Sequence, residues 1–227
     1  MTSGSRDFGA IYAETRQRIA DLTSGLSQEQ LELQAPATPG WRVRDIVGHL
    51  TGGAADFVSG NLEGAGGEAW TAAQVAARRD TAYDDVIAEW EKASAQVEPA
   101  FEGGPPQMGF LIADIGEHEH DIRGALRQAG SRDSAAVEAG TQVMVGSVSH
   151  RLTGAGVALR IRSGNQEWEL GEGEPGATVS VEPFELFRAL AGRRSITQVA
   201  QWKWDGDPGP YFGLMSVFPL RATDLVE

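Results

Sequence analysis

The chain has 227 residues and a net charge of −13, from 32 acidic against 19 basic residues, and it contains no cysteine. Such a surface repels phosphate backbones, so nucleic-acid binding is not expected, and the missing thiols exclude disulfides, thiolate metal sites and a cysteine nucleophile. A hydrophobic fraction of 41% supports a packed core, and no run approaches the roughly 18 apolar residues of a membrane span.

Met1 to Phe8 has neither the basic end nor the apolar stretch of a signal peptide, so a cytoplasmic protein of one large or two modest domains is expected. Phe8 to Ser24 reads as a helix, with Ile11, Tyr12, Thr15, Ile19 and Leu22 at helical spacing. A loop with Pro36, Pro39 and Gly40 precedes a second helix from Trp41, whose apolar face is Val43, Ile46, Val47, Leu50, Ala54 and Phe57. Gly60 to Gly67 reads as a loop, Trp70 to Arg79 as a short helix, and Asp80 to Val97 as a longer one with Val86, Ile87 and Trp90 inward. After Gly103-Gly-Pro-Pro106, a helix from about Met108 to Arg127 is expected, with Gly130 as its C-terminal cap. Four long helices joined by loops suggest an antiparallel bundle.

The pattern changes near Ser131. Asp133 to Leu152 still reads as helix, and Val157 to Arg162, Gln166 to Leu170 and Ala177 to Glu182 read as strands, the first two joined by a turn at Gly164-Asn165. Pro183 fits the first turn of a helix through Ala191. Residues 1–130 and 131–227 are therefore expected to be separate domains, the second a smaller α+β unit.

The chemistry concentrates in Asp114-Ile-Gly-Glu-His118-Glu-His-Asp121. At about 100° per residue, Asp114, His118 and Asp121 fall in a sector roughly 60° wide, beside the apolar Leu111, Ile115, Ile122 and Leu126. His118 is expected to point inward and His120 to face solvent, while His49 borders the apolar face of the second helix. A carboxylate and an imidazole at i and i+4 can grip one ion, and bundle cores build metal sites from such side chains on facing helices. Three N/O ligands with an open position suit zinc, and nickel, iron or manganese also fit. The same spacing arises when His118 only hydrogen-bonds Asp114 or Asp121 and the acidic run is a solvated face. Asp121 is expected to support a ligand rather than be one, Trp41 to pack, and His150 to be structural or exposed. The arginine clusters Arg78-Arg79, Arg160 with Arg162, and Arg193-Arg194 each suit one small anion.

These segments resemble the mycothiol-dependent maleylpyruvate isomerase family of actinobacteria, within the DinB-like superfamily. Gly40-Trp-Arg-Val-Arg-Asp-Ile-Val-Gly-His-Leu50 resembles the family's second helix, and Gly116-Glu-His-Glu-His-Asp-Ile-Arg-Gly-Ala-Leu126 its metal-binding fourth helix. Trp70 to Arg79, Leu186 to Ser195 and Trp204-Asp-Gly-Asp207 add weaker matches. The resemblance implies an up-down-down-up four-helix bundle followed by a sterol-carrier-protein-like α+β domain. It implies a divalent metal on His49, His118 and a third ligand four residues before His118. The family usually has Glu there; Asp114 is one methylene shorter, which leaves Glu117 or water as alternatives. It also implies mycothiol as the thiol the chain lacks, used by an isomerase or S-transferase on an electrophilic small molecule, with Arg79, Arg193 and Arg221 as catalytic candidates and Arg78 and Arg194 as cofactor-binding ones. A metal-loaded sensor or small-molecule-binding protein without turnover is the alternative, in a monomer or homodimer.

Overall fold

The computed structural model describes residues 7–102 and 108–227. The opening stretch before Asp7 and the expected Gly103–Pro106 loop lie outside these residues. The chain divides into two compact units, one ending at Ala129 and the other beginning at Gly130.

In the first unit, α1 (Phe8–Thr23) starts where the Asp7 carboxylate accepts from Ala10 N at 2.9 Å. It buries Tyr12, Thr15, Ile19 and Thr23, spaced three or four apart as one helical face requires. The two threonines tolerate burial because each hydroxyl donates to a carbonyl one turn back at 2.7 Å. After the single turn α2 (Gln28–Leu31) and a bridge between Gln34 and Arg42, α3 (Val43–Ser59) begins. Gly60, in the left-handed region at φ 76°, ends it. Then come α4 (Glu68–Arg78), α5 (Tyr83–Ala100) and α6 (Gly109–Leu126). The long helices close a ring: α1 packs on α5 and α6, and α3 packs on the same two. Ile19, Ile46, Val47, Trp90, Val97, Ile112, Ile115 and Ile122 fill its core. The Trp90 indole donates to the buried Tyr12 hydroxyl at 3.1 Å.

Two expectations here need correction. Gly130 does not cap α6; Arg127 does, at φ 56°, with its amide bonded back to Arg123 and Gly124. The helix thus stops three residues earlier than its nearest glycine would place it. The longer helix starts at Tyr83 rather than Asp80, because the Thr81 amide turns back onto Arg78 O.

The α3 N-terminus carries a testable electrostatic device. The Asp45 carboxylate accepts from Arg42 N at 2.9 Å and from the Arg42 guanidinium at 2.7 Å through both oxygens. Burial acts to raise the Asp45 pKa, but the Arg42 bonds outweigh it and hold the group below its ordinary value. Its folded value is therefore below the unfolded one, about 3.9, so the stabilisation is present above that pH and lost as pH falls through the folded value. Asp45→Asn should cost about 1–3 kcal/mol at neutral pH in urea unfolding, with the gap from wild type shrinking as pH falls below the unfolded-state value. A gap independent of pH would contradict this origin.

In the second unit, α7 (Ala135–Gly154) packs on a four-stranded sheet of order β2-β1-β3-β4. β1 (Ala158–Ser163) and β2 (Gln166–Gly171) form an antiparallel hairpin around Gly164, at φ 59°. β3 (Ala177–Ser180) runs parallel to β1, and β4 (Lys203–Asp205) antiparallel to β3. α8 (Pro183–Leu190) and α9 (Ile196–Ala200) lie between β3 and β4 in the chain. Leu152, Leu159, Ile161, Val179, Leu186, Phe187 and Leu190 are buried, while Arg160 and Arg162 face Glu169 and Glu167 on the wet side of the hairpin. The third strand ends at Ser180, short of Glu182, which caps α8. No helix among the described residues is long and apolar enough to cross a membrane.

Candidate metal centre

His49 comes from the middle of α3, and Asp114 and His118 from successive turns of α6; α3 and α6 pack directly. One ligand atom from each of the three lies within 4.8 Å of the others. Both histidines are buried, at 4% exposure each, while the Asp114 side chain is 41% exposed, so the centre opens on the carboxylate side.

The ring nitrogens divide the work. His118 Nδ1 lies 2.9 Å from Asp121 Oδ2, an oxygen that only accepts when ionised, so Nδ1 carries the hydrogen and Nε2 the lone pair. His49 Nδ1 is held at 2.7 Å by Gln74 Oε1 from α4. Both Nε2 atoms then face the Asp114 carboxylate, each at 3.5 Å. That is too long for a charge-assisted hydrogen bond, which runs about 2.7–2.9 Å. It matches the spacing of ligands around one ion: ligands about 2.1 Å from a tetrahedral metal lie about 3.4 Å apart. Two of the three pairs have this spacing, and with all three ligand atoms within 4.8 Å of one another the trio fits a divalent cation. Trp41 covers the imidazoles, with ring centroids 5.0 Å from His49 and 5.8 Å from His118, the latter nearly parallel. Trp70 meets His49 edge-on at 6.4 Å.

His120 departs from expectation: it is buried, at 3% exposure, as are Glu117, Glu119 and Asp121. The acidic run is therefore not a solvated face. Glu119 accepts from Arg18 on α1 at 2.8 Å and from Arg123 at 2.9 Å, which compensates its burial. The helix is buried from Ile115 to Ile122, where Glu119 is paired with Arg18 and Arg123, and Asp121 with His118. Asp121 lies behind His118 and outside the convergent trio. His150 is exposed on α7.

The candidate arginines are divided between the units, Arg78 and Arg79 in the first and Arg193, Arg194 and Arg221 in the second. Arg78 donates to Glu89 at 3.0 Å and to Gln74 O at 3.2 Å, which fixes α4 beside the centre. Arg79 follows α4 at an exposed position, and its charge helps lower the Asp45 pKa. In the second unit, Arg194 is buried with its guanidinium on Glu185 at 2.6 Å and on Glu227 at 3.0 Å. Burial works against its charge, yet these carboxylates raise its pKa. Arg193 donates to Ala191 O at 2.8 Å, and the Arg221 amide donates to Arg194 O at 2.9 Å. Gln74 is the participant that sequence reasoning missed. It is 3% exposed on the short α4, and its partners His49 and Asp56 both lie on α3, so nothing in its own segment marked it.

Comparison with known proteins gives one family. The model for the mycothiol maleylpyruvate isomerase N-terminal domain matches residues 12–153. Two solved structures share the mixed fold of helices and a small sheet. A crystal structure of the mycothiol-dependent maleylpyruvate isomerase is 13% identical, with a TM-score of 0.58 over 82% of this chain and 88% of that one. A histidine-to-alanine mutant of such an isomerase is 12% identical, with a TM-score of 0.56 over the same shares. At these identities the likeness concerns the fold alone. No curated protein matches the chain.

Proposed function

The chain belongs to the mycothiol maleylpyruvate isomerase N-terminal domain family, and from that premise we propose that it is a divalent-metal-dependent enzyme of isomerase or S-transferase type that uses mycothiol. The observation that carries this reading is the convergence of His49 Nε2, His118 Nε2 and the Asp114 carboxylate on one point. A metal held there would supply Lewis acidity that brings the pKa of a bound thiol toward neutral. Mycothiol would supply the thiol that the cysteine-free chain lacks.

The chain's own residues then have separate tasks. His49 and His118 each direct Nε2 at the centre, their Nδ1 atoms being engaged elsewhere. Asp114 offsets part of the cation's charge and, as the half-exposed member, marks the side from which ligands arrive. Trp41 shields the imidazoles from water on the face it covers. Arg79, Arg193 and Arg221 are proposed to meet carboxylate groups of cofactor or substrate. Arg78 and Arg194, assigned to cofactor binding from the sequence, already engage carboxylates of the chain, and a part in anchoring would require those pairs to be shared.

We assign zinc as the ion on the strength of the N/O donor set. The up-down-down-up arrangement is supported by the pairing of α3 with α5, since their connection, residues 60–82, contains α4 and is long enough to return the chain in the same direction. A metal-binding role for the first unit and a sterol-carrier-protein-like second unit complete the proposal, with the cytoplasm as compartment, where small thiols stay reduced.

The test is turnover of a panel of conjugated unsaturated acids and other soft electrophiles by metal-loaded protein, with and without mycothiol. Consumption or cis–trans conversion should require both the thiol and the metal. Turnover independent of the thiol would contradict the proposal.

A further inference from the structure

A histidine presents Nε2 to a metal only if its hydrogen sits on Nδ1, and that choice is set by the partner of Nδ1. For His118 the partner is the carboxylate of Asp121. For His49 it is an amide, Gln74, whose two ends are an acceptor and a donor and could impose either tautomer. What orients the amide is one step further away. Gln74 Nε2 lies 2.7 Å from Asp56 Oδ2, and an ionised carboxylate only accepts. Asp56 therefore takes the NH2 end, Oε1 turns to His49, and the ring hydrogen is drawn to Nδ1. The other oxygen of Asp56 accepts from Asn61 Nδ2 at 2.9 Å, which holds the carboxylate in place.

The sequence of α3 makes room for this chain. His49 and Asp56 lie seven residues apart, on one face of the helix. Between them, a Cβ at position 52 would lie 2.5 Å from both Cβ and Cγ of Gln74 and 2.9 Å from Arg78 NH1. Only glycine there lets α4 come close enough for Gln74 to bridge the two.

We propose that Gln74 is a positioning residue for this centre: oriented by Asp56 and admitted by Gly52, it fixes the His49 tautomer that faces Nε2 toward Asp114 and His118. The consequence for metal affinity rests on the reading of this centre as a metal site; the tautomer does not.

The experiment uses the full chain and two readouts. In metal-free protein, at a pH well above the imidazole range, ring ¹⁵N shifts should show His49 with a pyrrole-type Nδ1 and a pyridine-type Nε2. In Gln74→Leu the His49 nitrogens should move toward averaged values while those of His118, held by Asp121, stay put. Cobalt affinity should fall about 10–100-fold. The exchanged pair Asp56→Asn with Gln74→Glu rebuilds the chain with donor and acceptor reversed between positions 56 and 74. It should restore the His49 tautomer and bring cobalt affinity to within about threefold of wild type. A packing role alone would not be rescued by exchanging polar atoms. Wild-type His49 with its hydrogen on Nε2, or Gln74→Leu with unchanged His49 shifts and unchanged cobalt affinity, overturns the assignment. If wild type takes up no cobalt, it is the metal reading that fails, and the ring shifts still decide the role of Gln74.

Discussion

Protein purified without a chelator should carry close to one divalent ion per chain, and His49→Ala or His118→Ala should abolish it. Each substitution removes one of the two neutral nitrogens that meet at the centre and leaves a single imidazole with Asp114. A two-ligand remnant with one carboxylate does not hold zinc against buffer. His120→Ala should keep the ion, because His120 lies outside the convergent trio although it is equally buried. It should instead lower stability, by about 1–3 kcal/mol, since a buried side chain is truncated. Elemental analysis and thermal unfolding on the same samples separate the two effects. Loss of metal in His120→Ala with retention in His118→Ala would contradict the geometry.

Asp114→Asn should weaken metal binding by at least an order of magnitude while leaving the fold intact. The carboxylate supplies the negative charge nearest both Nε2 atoms, and an amide of the same shape supplies none. Being partly exposed, Asp114 contributes little to packing, so a competition titration against a chromophoric chelator reads ligation with little interference from folding. Unchanged affinity would transfer the third position to Glu117 or to water.

The sequence carries α1, α3, α5 and α6 openly because each repeats its apolar residues three or four apart over four turns or more, and the β1–β2 hairpin because Gly164-Asn165 interrupts two alternating runs. Elements of three to five residues, α2, α9 and β4, are too short for a period to emerge and depend on caps such as Ser27–Gln30 and Ser195–Gln198. The candidate site was half legible. His118 and Asp114 stand out because one helix places them a turn apart, whereas His49 was reached through the family resemblance, since helical phase alone puts it only at the border of an apolar face. The outward placement of His120 failed for a physical reason: helical phase tells which residues share a face, not which faces are covered. In α6 every residue from Ile115 to Ile122 is buried, and Arg18, 101 residues away in the chain, joins Arg123 in compensating Glu119. Gln74 was invisible for the same reason, since its partners His49 and Asp56 belong to another helix. Arg127 as a left-handed cap has no sequence signal at all, given the glycine three residues on.

If this centre binds a thiol through its metal, cobalt substitution makes the binding visible. Thiolate ligation to cobalt adds an intense near-ultraviolet charge-transfer band that water and carboxylate ligands do not produce. Adding mycothiol to the cobalt-loaded wild-type protein should produce that band near neutral pH, with a serine analogue lacking the sulfur leaving the spectrum unchanged. A cobalt spectrum that no thiol perturbs at saturating concentration would contradict the account and leave a metal-binding protein without thiol chemistry.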